Sequence, residues 1–539
     1  MYVARRSFVV SLIAIAAAAF LWLAITKAHN EQQNKAVGSK SPDLAEASAS
    51  RSTTYSELTL AREIDQAIDQ SDSAQARWGI CVVSLKNGQI IYARNGDKLF
   101  TPASNMKIYT TAVALDLLGA DYRWRTSVYA EKQPANGVVD GDLVLYGRGA
   151  PDLRTTRKGD APSLDQLADQ VYQTGVHRVH GNIVGDESYF RGEFYGVGWQ
   201  WNDLQWYFGA QPSALTVDEN SIELTISPAK KVASNAIVTF DRKTEFLHLI
   251  NDTKTGELDA TISIGIDRGL SDNEVRVWGE FPTGGRPFSA FISVHNPALW
   301  TATLFKEALV ERGIQVDGEA QSRDARVAET ENFEPLKAFE VASIDSEPLA
   351  AIVRHTNKES DNLYAELILR TIGKERRSLV SDLDTRRDRA RGDDEAGSIV
   401  VRWWLKNHGI SGNGLALNDG SGLSRLDLVT PEATARLLAT VANSAFFTIF
   451  HDSLPIAGRD GTLRGRLAAE TGRVFAKTGS LTYDHALSGY VVTASGDIFS
   501  FSVFCNDATE QTHPVRIIDE IVTLLVNYDD SKPPRSGQK

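Results

Sequence analysis

Three short segments carry side chains whose spacing could do chemistry. Ser104-Asn105-Met106-Lys107 sets a hydroxyl and an amine three residues apart, so on a helix the two share a face. A serine hydroxyl becomes a useful nucleophile only when a base takes its proton. A lysine can be that base where burial and a second nearby cation favour its neutral form. Ser360-Asp361-Asn362 precedes an apolar helical pattern at 362–372. These residue types cap helices, and taken alone the cap is the simpler reading. Lys477-Thr478-Gly479 ends the apolar stretch 473–476 and precedes Ser480. A cation there suits a carboxylate, and a glycine keeps side-chain bulk off a strand edge that could pair with a peptide.

Each pattern is cheap, and the chain contains its own decoys. Ser227-Pro228-Ala229-Lys230 leads into no apolar helix, Ser411-Gly412-Asn413 lies in a glycine-rich stretch, and Lys254-Thr255-Gly256 lies in a polar turn. Order and context set the first three apart: helix start, loop before helix, strand end. At a helix start the N–H of Ser104 can also meet a developing oxyanion. Metal chemistry has no comparable support. His177-Arg178-Val179-His180 has no Glu-flanked partner motif, and neither a Gly-x-Ser-x-Gly elbow nor a P-loop occurs.

The elements that must position these residues fall at the two ends of the chain. Residues 78–84 and 89–93 read as a hairpin across Asn87-Gly88, and 101–118 as a helix with Pro102 early and Gly119 closing it. Residues 487–494 and 497–505 form a second hairpin across Ser495-Gly496, and 514–528 is an amphipathic helix. Between them, from about 122 to 297, short strands alternate with turns, as at 142–146, 221–226, 236–240, 261–266 and 274–278, suggesting an all-β block. Helical periodicity returns at 299–312, 347–356 and 362–372. The expectation is an α+β fold: antiparallel sheet plus helices over 57–121 and 334–528, interrupted by a β-rich insertion at 122–333 large enough for two domains. The mixed-charge run 374–395, with seven basic and seven acidic residues, reads as a solvated surface.

Composition narrows the class. Among 539 residues, 42% are hydrophobic and 23% charged, as in an ordinary globular protein. The balance of 57 basic against 69 acidic residues, −12 overall, argues against nucleic acid as a partner. Two cysteines exclude a disulfide framework and a multi-cysteine metal site. Arg5 and Arg6 precede an apolar run at 8–25, so residues 1–29 read as a signal peptide or signal anchor that places the rest outside the cytoplasm. If it stays uncleaved, that run tethers the protein to the inner membrane; the expected location is periplasmic or otherwise extracytoplasmic. Residues 30–56, poor in large apolar side chains, read as a flexible tether, and 529–539 as a polar tail.

The ordered trio is the signature of penicillin-binding proteins and class A β-lactamases. The sequence resembles the D-Ala-D-Ala carboxypeptidase/endopeptidase family of low-molecular-mass class C penicillin-binding proteins, peptidase family S13. Three further segments carry the resemblance: 141–149, the Gly198-Trp199-Gln200-Trp201-Asn202-Asp203 stretch, and 419–425. The 253 residues from Lys107 to Ser360 match that family's habit of inserting domains there, whereas β-lactamases have a far shorter interval. The resemblance implies a penicilloyl-serine transferase (β-lactamase/transpeptidase-like) fold, no cofactor, peptidoglycan stem peptides as substrates, and β-lactams as covalent inhibitors.

It also implies roles. Ser104 would be the acylated nucleophile and Lys107 its base, the lysine's proton affinity lowered by the charge of Lys477. Ser360 would relay a proton to the leaving amine, Asn362 would hold the substrate backbone, and Lys477 with Thr478 its terminal carboxylate. Gly479 would open the strand edge, and the N–H groups of Ser104 and Ser480 would form the oxyanion hole. Asp186 and Phe190, in Asp186-Glu187-Ser188-Tyr189-Phe190, together with Arg425, would bind the zwitterionic diaminopimelate side chain. The family places Cys81 and Cys505 on neighbouring strands; two separate buried thiols are expected, with one disulfide as the alternative. The rival readings are a β-lactamase, for which no dedicated deacylating Glu is identified, and a non-catalytic cell-wall-binding protein on the same fold.

Overall fold

Two stretches far apart in sequence meet in one antiparallel sheet. A computed structural model describes residues 55–157, 159, 161–325, 333–380, 392–410 and 414–531. The apolar run 8–25, most of the expected tether, the Ser411–Asn413 decoy and most of the polar tail lie outside the described residues. The strand order is Val474–Leu481, Asp484–Val492, Ile498–Asn506, Arg77–Ser84, Ile90–Arg94. Arg77 is opposite Asn506 and Ser84 opposite Phe499, so the chain's late strands close onto its first one. The strand carrying Lys477 is an edge of this sheet. Bridging of Phe475 with Ile456 covers the start of that edge.

Both faces of the sheet are covered, which explains strands that are apolar on consecutive residues. Leu60, Ile64 and Ile68, four residues apart on the helix Tyr55–Asp69, pack on one face beside Ile517, Ile521 and Leu525 of the helix Pro514–Asn527. The helix starts at Tyr55, so the expected tether is shorter than its reading to residue 56. The opposite face receives Met106–Leu117 and Pro431–Val441, whose Met106 and Leu437 share a cluster with Ala486, Tyr490 and Phe504. Every residue from Met106 to Leu115 is buried. A helix apolar all round belongs in the centre of a protein, and this one carries Lys107 there.

The insertion has the expected strands but is not an all-β block. Its largest sheet is mixed, in the order Ala320–Arg323, Ile183–Asp186, Leu143–Tyr146, Arg125–Ala130, Phe339–Asp345. The helix Leu164–Gln173 lies within the stretch expected to be all strands. Its signs were present: Ser163 caps it by accepting from the Gln166 N–H, and Leu164, Leu167, Ala168 and Val171 make a buried stripe. The strand Phe339–Asp345 pairs with Arg125–Ala130, so the chain re-enters the catalytic layer after Asp345 rather than at residue 334. The strand expected at 261–266 is Gly265–Arg268. No described helix is long and apolar enough to cross a membrane.

Sheet register decides the cysteine question. Cys505 is opposite Trp78, whereas Cys81 is opposite Ser502, three residues along the strand from Trp78. Odd separation on a strand means opposite faces. Cys505 lies in the cluster of Trp78, and Cys81 packs with Ala435 on the other side of the sheet. Both thiols are free and buried, and burial pushes each up to about 12. A thiol reagent should therefore label neither in the native protein and both after unfolding, and reductant should leave Tm unchanged. A Tm that falls with reductant would contradict this arrangement.

Candidate active site

Local sequence first sets where each group can stand. Pro102 and Ala103 lead into a short 3-10 turn, Ala103–Asn105, from which the helix Met106–Leu117 continues. Ser104 thus sits in the entry turn, one turn from Lys107. Ser360 ends the helix Leu349–Glu359 in the left-handed conformation (φ 63°), and Asp361 caps the next helix by accepting from the Tyr364 N–H at 3.0 Å. The capping reading of Ser360-Asp361-Asn362 is therefore correct for Asp361. The flanking Ser360 and Asn362 are the members that face the lysines.

The Lys107 amine, fully buried, donates to Ser104 Oγ at 3.0 Å, Asn362 Oδ1 at 2.6 Å and the Ser421 carbonyl at 2.8 Å. The last two partners can only accept. When the amine is neutral they keep its two N–H bonds, and its lone pair is left facing the serine hydroxyl. The Asn362 amide cannot turn over, because its Nδ2 donates to the Phe208 carbonyl at 2.8 Å. Lys477, also fully buried, donates to Ser360 Oγ at 2.8 Å and to the Thr478 carbonyl at 2.9 Å.

The electrostatics differ from the sequence expectation in one respect. Burial, not the charge of Lys477, brings Lys107 down to about 8, against the pull of Asp419 and then Asp361, which favour its charged form. The repulsion between the two amines falls on Lys477, which burial and then the charge of Lys107 hold well below the usual lysine range. Acidic side chains favour the charged form of Lys107, whereas burial and the neighbouring amine both disfavour that of Lys477.

Ser104, Ser360, Asn362, Ser480 and Arg425 line one cavity of about 840 Å³. Lys477 lies behind it. Thr478 is 9% exposed and donates to Thr462 Oγ1 at 2.7 Å, and it is Thr462 that reaches the lining. Gly479 serves a purpose the sequence did not disclose: a Cβ there would lie 2.7 Å from the Pro102 carbonyl and 3.1 Å from Asn105 Nδ2. It lets the strand press against the turn that carries Ser104.

Asp186 and Phe190 are not among the residues lining this cavity. Asp186 is fully buried, accepts from the Ser188 N–H at 2.9 Å and pairs with Arg323 at 3.3 Å. Phe190 packs against Ala214, Leu363 and Leu367. From the insertion, the acids Asp203 and Glu219 and the rings Tyr207, Phe208 and Phe291 do line the cavity. Asp203 is raised by burial and lowered again by Arg425, which itself pairs with Asp484 at 2.7 Å and donates to the Thr482 carbonyl at 2.9 Å. The signal for Asp203 was the Trp199-to-Asp203 stretch, quoted for its resemblance but given no role. That stretch is anchored to the catalytic layer: Trp199 Nε1 donates to Asp419 at 2.9 Å and Ser424 Oγ to the Val197 carbonyl at 2.7 Å. The Ser421 carbonyl had no sequence signal, because every residue has one.

One consequence concerns Gly479. Replacing it with Ala should displace the nucleophile turn at a stability cost of about 1–3 kcal/mol, typical of overpacking. Acylation by a reactive ester or β-lactam should fall by about 10²-fold in protein that remains folded, the scale expected for misplacement of about 1 Å. Parallel thermal melts and acylation rates check this; a folded variant that acylates at the wild-type rate would argue against it.

Residues 60–528 match the family described as D-Ala-D-Ala carboxypeptidase 3 (S13). A D-alanyl-D-alanine carboxypeptidase of Actinomadura sp. (strain R39) is 32% identical, the alignment covering 92% of this chain and 89% of that protein. D-alanyl-D-alanine carboxypeptidase DacB of Haemophilus influenzae is 26% identical over 79% of this chain and 85% of its own. Among solved structures, penicillin binding protein 4 (dacB) from Haemophilus influenzae superposes with a TM-score of 0.74 at 24% identity, covering 87% of this chain and 99% of that one. The fold is thus that of the penicilloyl-serine transferases, α+β with an antiparallel sheet. Ordered motifs, a serine-lysine pair at hydrogen-bond distance and a match over residues 60–528 agree, and the chain belongs to the D-Ala-D-Ala carboxypeptidase (S13) family of serine peptidases.

Proposed function

We propose that this protein is a penicillin-sensitive serine D-Ala-D-Ala carboxypeptidase, with DD-endopeptidase action on cross-linked stem peptides, working through an acyl-serine. The observation that carries the reading is the Lys107 amine, held by two acceptor-only oxygens and aimed at Ser104 Oγ. In acylation Ser104 Oγ bonds to the carbonyl carbon of the penultimate D-Ala and its proton passes to Lys107. As the C–N bond breaks, the leaving amine takes that proton from Lys107 by way of Ser360, which is bonded to Lys477. In deacylation Lys107 takes a proton from water as the water oxygen bonds to the ester carbonyl carbon, and returns it to Ser104 Oγ as the ester C–O bond breaks.

The paired amines also suit a carboxylate substrate. A terminal carboxylate near Lys477 would favour that amine's charged form, and the mutual repulsion would then fall on Lys107, making it the neutral partner. Asp203 and Arg425, one anion and one cation on the same cavity wall, suit a zwitterionic side chain on the donor stem. They take the place given above to Asp186 and Phe190. Arg5, Arg6 and the apolar run 8–25 support export, with anchoring to the inner membrane where the run is retained.

Three measurements test the reading. Fluorescent penicillin should label the protein stably at Ser104, and S104A should not label; rapid turnover of the label would indicate a β-lactamase instead. D-Ala release from a pentapeptide, run beside a cross-linked dimer, separates the two peptidase activities; inactivity on both would point to a cell-wall-binding protein. Because neutral Lys107 is the competent base and its midpoint is about 8, acylation by penicillin should rise as pH increases through that value. K107A should lose acylation by about 10³-fold or more, within the range of lost general-base catalysis. K477A should weaken binding of carboxylate-bearing substrates most.

A further inference from the structure

More acid stands behind the catalytic lysine than the reaction uses. Glu366 lies four residues after Asn362 on the helix Asn362–Arg376 and is fully buried. Its Oε1 accepts from the Gly420 and Ser421 N–H groups, each at 2.9 Å. The same two residues present carbonyls to the nucleophile helix: Thr110 Oγ1 donates to that of Gly420 at 2.8 Å, and Lys107 to that of Ser421 at 2.8 Å. One carboxyl oxygen therefore props the loop whose carbonyl orients the base.

The other oxygen, Oε2, is buried and accepts no hydrogen bond from the described residues. Asp419 and Asp427, both fully buried, share the same interior. They are not equivalent. Asp419 accepts from Trp199 Nε1, Ser421 Oγ and the N–H groups of Gly422 and Ser424. Asp427 accepts from the Asn418 N–H at 2.6 Å, and burial, then the charge of Asp419 and the hydrogen bond between the two, raise Asp427 well above the usual carboxylate range. A buried carboxylate holds its charge only where donors or cations answer it. The charged groups facing Glu366 and Lys107 are Asp419, Asp361, Asp427, Arg370 and, across the amine, Lys477. Burial and the neighbouring acids hold Glu366 and Asp427 above the usual carboxylate range, and the donors gather on Asp419 instead.

We propose that Glu366 is a positioning residue that works as a neutral acid: it holds Gly420-Ser421 against Lys107 without adding a negative charge that would lock the lysine's proton. The inference rests on Lys107 being the base of Ser104. Burial, and then the charge of Asp419, push Glu366 above the usual carboxylate range, in keeping with this arrangement.

The test separates prop from charge. In E366Q the amide oxygen can still accept both N–H bonds and no charge is lost. Its penicillin acylation rate should stay within about threefold of wild type, with the pH midpoint moved by less than ~0.3 units. E366A removes the prop, and acylation should fall at least ~10-fold in protein that still melts cooperatively. A midpoint that drops by about one unit in E366Q would show a charged Glu366 and overturn the proposal, as would E366A acylating at the wild-type rate. Should either variant fail to fold, ¹³C NMR of glutamate-labelled wild type decides: a glutamate carboxyl still in its neutral form at neutral pH is expected, and full ionisation of every glutamate refutes the idea. That spectrum does not depend on turnover. An enzyme inert to penicillin would overturn the proposed function while leaving the state of Glu366 readable.

Discussion

Two lysine amines buried in one site are the constraint around which the surrounding structure is arranged. Removing an ammonium from water costs several kcal/mol even after relaxation, unless acceptors and opposite charge replace the solvent. Lys107 has three acceptors in direct contact and acids beyond them; Lys477 has a hydroxyl and a carbonyl. That inequality sorts the protons. It also explains why the nucleophile helix is buried on every side, since an amine can be held near neutrality only where solvent is excluded.

The insertion is part of this arrangement. Its Phe208 carbonyl fixes the Asn362 amide, its Trp199 holds Asp419, and its Val197 carbonyl receives Ser424. A segment about 100 residues downstream of Ser104 in the chain thereby orients the partner of the catalytic amine. The same segment presents Asp203 to the cavity that Arg425 also lines. The insertion so contributes both to the surroundings of Lys107 and to the cavity wall.

Backbone strain gathers beside the reacting hydroxyls. Ala103 (φ 48°) precedes Ser104, and Ser360 (φ 63°) is itself left-handed, although neither is glycine. Such conformations cost about 1–3 kcal/mol each and persist where the surroundings leave no alternative. Here the surroundings are close: a Cβ on Gly422 would lie 1.8 Å from the Ala103 carbonyl, and one on Gly479 would meet that of Pro102. The strand and the loop are pressed onto the nucleophile turn from two sides, and glycine is what permits the approach.

Much of this was legible in the sequence because it is local. The serine-lysine pair follows from helical spacing, Asp361 from capping chemistry, and the edge strand from an apolar run ended by Lys477. Only the tertiary structure shows that Asp203 lines the cavity and that Asp186 does not. All four residues of Ile183–Asp186 are buried, so strand alternation carries no sign of which side chain meets solvent. The helix Leu164–Gln173 and the return at Asp345 were hidden differently, the first overlooked among strand-like neighbours and the second decided by pairing more than 200 residues apart. Backbone carbonyls are the limiting case. Those of Ser421 and Phe208 govern the base and its asparagine partner, yet any residue type could have supplied them. Sequence therefore names the groups that react, and the fold names the generic groups that aim them.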